Sequence, residues 1–94
     1  MSNLKVIRKT LTGDSEDFTF DVLGLRFLVK NFSDEDILVN FDPITNENES
    51  SSIKVPKQFS QLVLIDETIP LGQNTLYVKG TGEVEVQIVM RRFE

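Results

Sequence analysis

The chain has no Cys, no His and no Trp, and each absence removes a class of chemistry. Without Cys there are no disulfides and no thiolate metal sites. Without His the commonest general base and the commonest zinc ligand are gone. Without Trp the strongest sugar-stacking and interface anchor is missing. No run approaches the roughly 18 consecutive apolar residues of a membrane-spanning helix. The first nine residues, Met1 to Lys9, hold no continuous apolar core of the kind a signal peptide needs, so folding in a cytoplasm is expected. Two N-x-S triplets, at Asn31 and Asn48, are then chance matches to a glycosylation signal.

What remains is 94 residues, 39% hydrophobic and 27% charged, enough for one folded domain over 1–94 and no second core. A domain of this size buries only about 60–65% of its unfolded surface, which leaves little room for a large internal cavity. The net charge of −5 argues against nucleic acid as a partner. It is unevenly spread. Residues 1–12 sum to +3, residues 89–94 to +1 and residues 13–88 to −9. Either the acidic surface is simply solvated, or two basic terminal segments lie side by side and complement an acidic face on another copy.

The dominant period is two. Phe18, Phe20 and Val22 share one face; Leu25, Phe27 and Val29 share the next, with Arg26 and Lys30 opposite and Leu28 the exception on the charged side. Further runs lie at 37–42, 52–55, 62–65, 76–79 and 83–88, rich in β-branched and aromatic residues. No stretch of ten residues has a 3.6 period. The expectation is an all-β domain of seven to eight short strands. Tight hairpins alternating with longer connections suggest a two-sheet antiparallel sandwich of Greek-key or jelly-roll type.

Two hairpins are expected. Gly80-Thr81-Gly82 reads as a three-residue loop that pairs Val78 with Val84 and Leu76 with Val86, with Gly82 in the left-handed region. A second, around Phe32–Glu35, would pair Val29 with Val39 and Phe27 with Phe41, or shift this by one step. Asp42–Ser52 reads as a long exposed loop, either a mobile insertion or a contact element. Ile69, Pro70 and Leu71 are expected to cap one end of the core.

Candidate chemistry is thin. Asp34-Glu35-Asp36, and Asp42 with Glu47 and Glu49, group carboxylates without the spacing of a calcium loop. Paired acids could serve glycoside hydrolysis only across a cleft, for which so small a body offers little wall. The Ser and Thr residues have no His partner, and Gly80-Thr81-Gly82 lacks the third glycine and the helix of a phosphate cradle. No catalytic activity and no cofactor or metal are expected. Tyr77 is the one aromatic that the alternation turns outward; Phe32 reads as folding back over the end of the body, and Phe93 as either a docking residue or a frayed terminus.

The runs Phe27–Val39, Ser52–Pro56 and Leu76–Gln87 resemble the small β-sandwich structural proteins of tailed phages and prophages, of the head-decoration, head-fibre or tail-accessory type. The resemblance covers most of residues 25–88 and is one of pattern, with no ligand or catalytic motif in it. It implies a homo-oligomer acting through contacts with other virion proteins, located in the virion and assembled in the host cytoplasm, with no nucleic acid or membrane partner. The contact residues expected on that reading are Lys5, Arg8, Lys9, Arg91, Arg92 and Phe93, through strand addition or sheet stacking. The competing reading is a small non-catalytic module that binds a glycan or a cell-surface receptor. A thermal melt that does not move in millimolar calcium is expected; a rise would make one of the acidic segments a cation site.

Overall fold

The computed structural model describes residues 4–64 and 73–90. Five strands occur among them: β1 (Leu4–Asn31), β2 (Ile37–Asn40), β3 (Ile53–Val55), β4 (Ser60–Leu64) and β5 (Gln73–Met90), with one 3-10 turn at Glu49–Ser51. All pairings are antiparallel, and hydrogen bonds join the strands into one sheet in the order β3-β2-β5-β1-β4. The all-β class is as expected. The seven or eight short strands are not: two long strands, of 28 and 18 residues, absorb four of the expected pieces.

The sheet is built around β5. The first arm of β1 runs along one edge of β5 from Leu4↔Val89 to Thr12↔Thr81, and continues past a bulge from Ser15↔Lys79 to Thr19↔Thr75. The chain then crosses, and the last part of β1 returns along the opposite edge of β5, from Arg26↔Val89 to Asn31↔Val84. Gly24 marks the crossing, paired with Gln73 at one end of β5 and with Met90 at the other. The result is a strongly curled, nearly closed, barrel-like sheet.

Neither expected hairpin forms. Val78 and Val84 both lie in β5, which passes through Gly80-Thr81-Gly82 without reversing. Gly82 does have the expected positive φ, +92°, but as a corner in a bent strand. Likewise β2 does not fold back on β1. Its Leu38, Val39 and Asn40 pair with Lys79, Val78 and Tyr77, so β2 takes over the same edge of β5 where β1 leaves it. Residues 32–36 bulge out between the two.

The face enclosed by the curl is the core, with Phe18, Phe27, Val29, Ile37, Val39, Val55, Leu76, Val78, Val84, Val86 and Ile88 fully buried. Each such side chain contributes about 1.5–3 kcal/mol on burial, so this set is the main driving force for folding. Phe27 sits between the rings of Phe20 and Phe41, at 6.1 and 5.9 Å. The loop 42–52 is anchored rather than loose. Ile44 is buried, its N–H donates to Ser15 Oγ, and Asn48 bonds to both Thr45 and Pro43. Ile69, Pro70 and Leu71 lie outside the described residues.

The corner at Gly82 is tight as well as left-handed, since an added Cβ would stand 2.3 Å from Ser33 Cβ. At Gly13, φ is +108° but a Cβ would meet nothing within 4 Å. Gly82→Ala should therefore lose more stability than Gly13→Ala, each carrying about 1–3 kcal/mol of backbone strain and only the first a steric clash. Equal losses in chemical denaturation would place Ser33 elsewhere.

Candidate functional site

The outer face of the β4–β1–β5–β1 surface is ordered in rows by the register. One row is charged: Lys30, Glu85 and Arg8 stand on adjacent strands. Arg8 Nη2 donates to Glu85 Oε1 at 2.6 Å, Gln87 Nε2 donates to Glu85 Oε2 at 2.7 Å, and Lys30 Nζ lies 3.5 Å from the same carboxylate. Glu85 is only 5% exposed. A nearly buried carboxylate of this kind is tolerable because each oxygen has a cationic or amide partner. The Arg8 guanidinium, helped by Gln87 and Lys30, holds the Glu85 carboxyl down at about 2, against the effect of its burial.

The next row is uncharged, with three apolar residues around Gln87. Val6 pairs with Gln87, Gln87 with Leu28, and Leu28 with Leu62, across four neighbouring strand segments. Leu28, which the alternation leaves stranded on the charged side, belongs to this row. Val6 and Leu62 are 50% and 49% exposed. Elsewhere on the surface Phe32 is 47% exposed and Phe59, paired with the buried Asn31, is 62% exposed. Phe32 does not fold back over the body, and Phe59 does not join the core.

The two Phe residues are held by a polar clasp. Asn31, almost fully buried, donates from its amide to the carbonyls of Glu35 and Val55 and accepts from Ser33 N–H and Ser33 Oγ. Gln58, a non-glycine residue at φ +62°, donates to the carbonyls of Phe32 and Ser33. Strained positions of this sort persist only where surrounding bonds over-determine them. These side-chain bonds of Gln58 hold the turn that precedes Phe59.

The expected contact residues fare unequally. Arg8 is taken up by Glu85 and lies 3.6 Å from Glu83. Lys5 pairs with Asp21 at 3.6 Å. Lys9 donates to the Asp17 carbonyl at 2.5 Å and sits 5.1 Å above the Phe18 ring. Thus Lys5 and Lys9 span the angle between residues 4–12 and 15–21, which meet at the bend of β1 at Gly13. The Thr19 hydroxyl, with Lys9, holds the Asp17 carboxyl below its usual range. Arg91, Arg92 and Phe93 lie outside the described residues.

The acidic segments are engaged too. Asp36 accepts from the Lys57 amide, and Glu49 is ion-paired with Lys79. Among the described residues no group of three or more Asp or Glu is placed to hold a metal ion. Open depressions of about 580 and 310 Å³ meet at Leu38 and Glu49. Tyr77 is half-buried, so it does not offer an open stacking platform. No helix among the described residues is long and apolar enough to cross a membrane. Comparison with known families, with curated proteins and with solved structures finds no match to this chain.

Sequence reasoning misses Val6, Phe59 and Leu62 as surface residues. A signal was available. Residues 58–64 carry no charge, and Leu62-Val63-Leu64 is apolar on both faces of a short strand, which a half-exposed strand cannot bury.

The Glu85 site makes stability depend on pH with a definite sign. The ordinary carboxyl value is 4.5 and the folded value about 2. The carboxylate's contribution is therefore whole above about pH 4.5 and lost as the pH falls toward 2. Denaturation at about pH 6 and about pH 3 should show a larger acid loss in the parent chain than in Glu85→Gln. Equal losses would detach acid stability from this residue.

Proposed function

We propose that this chain is a non-catalytic structural subunit that works by self-association and by contact with other proteins, as a decoration or tail-accessory subunit of a tailed-phage or prophage particle. The observation that carries the reading is the exposure of six large apolar side chains, Val6, Leu23, Phe32, Ile53, Phe59 and Leu62, on a small body. Solvent-facing apolar side chains of this size, rimmed by charged residues, mark protein contact surfaces. The pattern of residues 25–88 supports placing the subunit on a virion. The curled sheet supports treating the body as a sandwich-like scaffold in the jelly-roll manner, with its exterior as the working part.

On this reading the contact surface shifts from the basic strand to the exposed apolar residues. Lys5, Arg8 and Lys9 hold the fold, because their charges are already met within the chain. Arg91, Arg92 and Phe93 remain proposed contacts. A polysaccharide-binding module is the alternative that the same test separates.

Light scattering over a concentration series is the direct check. The parent chain should exceed monomer mass as concentration rises, and the double variant Phe32→Ser, Phe59→Ser should shift toward monomer while keeping its β-type circular dichroism. The parent should also co-sediment with phage heads or tails. A strict monomer that binds polysaccharide and no particle would replace this reading with the glycan one.

A further inference from the structure

The sheet ends in β3 on one side and β4 on the other; β3 is three residues long with Lys54 at its centre, so two longer edges of contrasting character remain. Among the described residues, the first arm of β1 pairs only with β5, and β4 pairs only with β1. The β1 edge is covered: Lys5 and Lys9 reach across it to Asp21 and to the Asp17 carbonyl of the same strand. Among the described residues the β4 edge has no such cover. Gln58–Leu64 contains no charge, no Pro and no Gly, and it includes the exposed Phe59. Neutral, β-prone, exposed strands are the ones that recruit a partner.

Hydrogen-bond alternation tells which groups are on offer. The Asn31 N–H donates to the Phe59 carbonyl at 2.9 Å, which extends the Lys30↔Ser60 register by one pair. In an antiparallel ladder the bonded pairs alternate, so Gln61 and Val63 also turn their backbone groups toward β1. The N–H and C=O groups of Ser60, Leu62 and Leu64 then point away from it, along the outer edge.

Resting on the self-association reading above, we infer that a second copy of this chain docks on β4 by antiparallel strand addition about a two-fold axis at Leu62. That register sets Ser60 opposite Leu64, Gln61 opposite Val63 and Leu62 opposite its own counterpart. Partners then have the same parity, so each outward N–H and C=O meets an outward mate. No like charges meet, and the row Val6–Gln87–Leu28–Leu62 runs on across the axis into the second copy. The β1 edge fails the same exercise. An axis at Ile7 sets Lys5 against Lys9, and an axis at Arg8 sets the guanidinium against its copy. Five paired residues bury less than the roughly 1,000 Å² of a stable interface, so the contact is weak by itself.

The absence of Cys makes cross-linking a clean test. Facing Cα atoms in a bonded antiparallel pair lie about 5.5 Å apart, inside the disulfide span of about 4.4–6.8 Å. Under oxidation, Leu62→Cys should form covalent dimer about tenfold faster than Val6→Cys, which is equally exposed but off the axis. Ser60→Pro removes one outward N–H and leaves pairing with β1 intact; it should weaken association about tenfold by sedimentation. Suppose instead the parent self-associates, Ser60→Pro keeps parent affinity and both Cys variants cross-link alike. The β4 docking is then wrong, while self-association stands. A parent monomeric at every concentration overturns both. Hydrogen-exchange protection of β4 that appears only when phage particles are added assigns the edge to a particle protein and overturns the second-copy docking.

Discussion

The structure depends on one strand being held from both sides by the same partner. β5 lies between two stretches of β1, and the 84–89 segment bonds to residues 4–9 on one edge and 26–31 on the other. Everything else is hung on this arrangement: β2 extends one edge, β4 adds to the returning arm, and β3 adds to β2. Because β1 must leave one edge of β5 and arrive at the other, the sheet has to curl, and the curl encloses the core. Glu85 sits at the middle of this three-stranded region, joined to β1 on both sides through Arg8 and Lys30. A carboxylate so placed ties two distant parts of β1 to the central strand, and losing it would leave two cations without their shared partner.

The same residues explain what a reader of the sequence sees and misses. The alternation correctly picks out the buried set, because Phe27, Val29, Val39, Leu76, Val78, Val84 and Val86 all face inward. It cannot tell a hairpin from a bent strand. A reversal through the three residues 80–82 puts Val78 and Val84 on one face, and so does a continuous strand, since the two positions are an even number apart. Val29 and Val39 pose the same ambiguity. In both places the burial was legible and the connectivity was not. What decides is the long-range pairing of residues 4–19 with β5, which leaves no local mark.

The candidate site shows a similar division. The basic residues stand out in a sequence of negative net charge, yet Arg8, Lys5 and Lys9 serve cross-strand pairs and the unbonded angle of β1. Their acidic partners are up to 77 positions away, beyond the reach of local reading. The exposed Phe59 and Leu62 are less conspicuous, since apolar residues in a β-prone run are ordinarily assigned to the core. Their exposure follows from the shortness of β4, a strand at the margin of the curl from which Val63 reaches the interior. Asn31 reads as part of a chance N-x-S triplet, whereas its side chain organises the loop at 32–36 and the turn at 56–58.

The double use of β5 is directly measurable. Nuclear Overhauser contacts in solution should connect Gln87 to both Val6 and Leu28, as its position between the two arms of β1 requires. Cross-strand contacts between Val78 and Val84, with Gln87 touching only one of those two residues, would instead mean that the chain reverses at Gly80–Gly82 and that β5 is not the shared centre of the sheet.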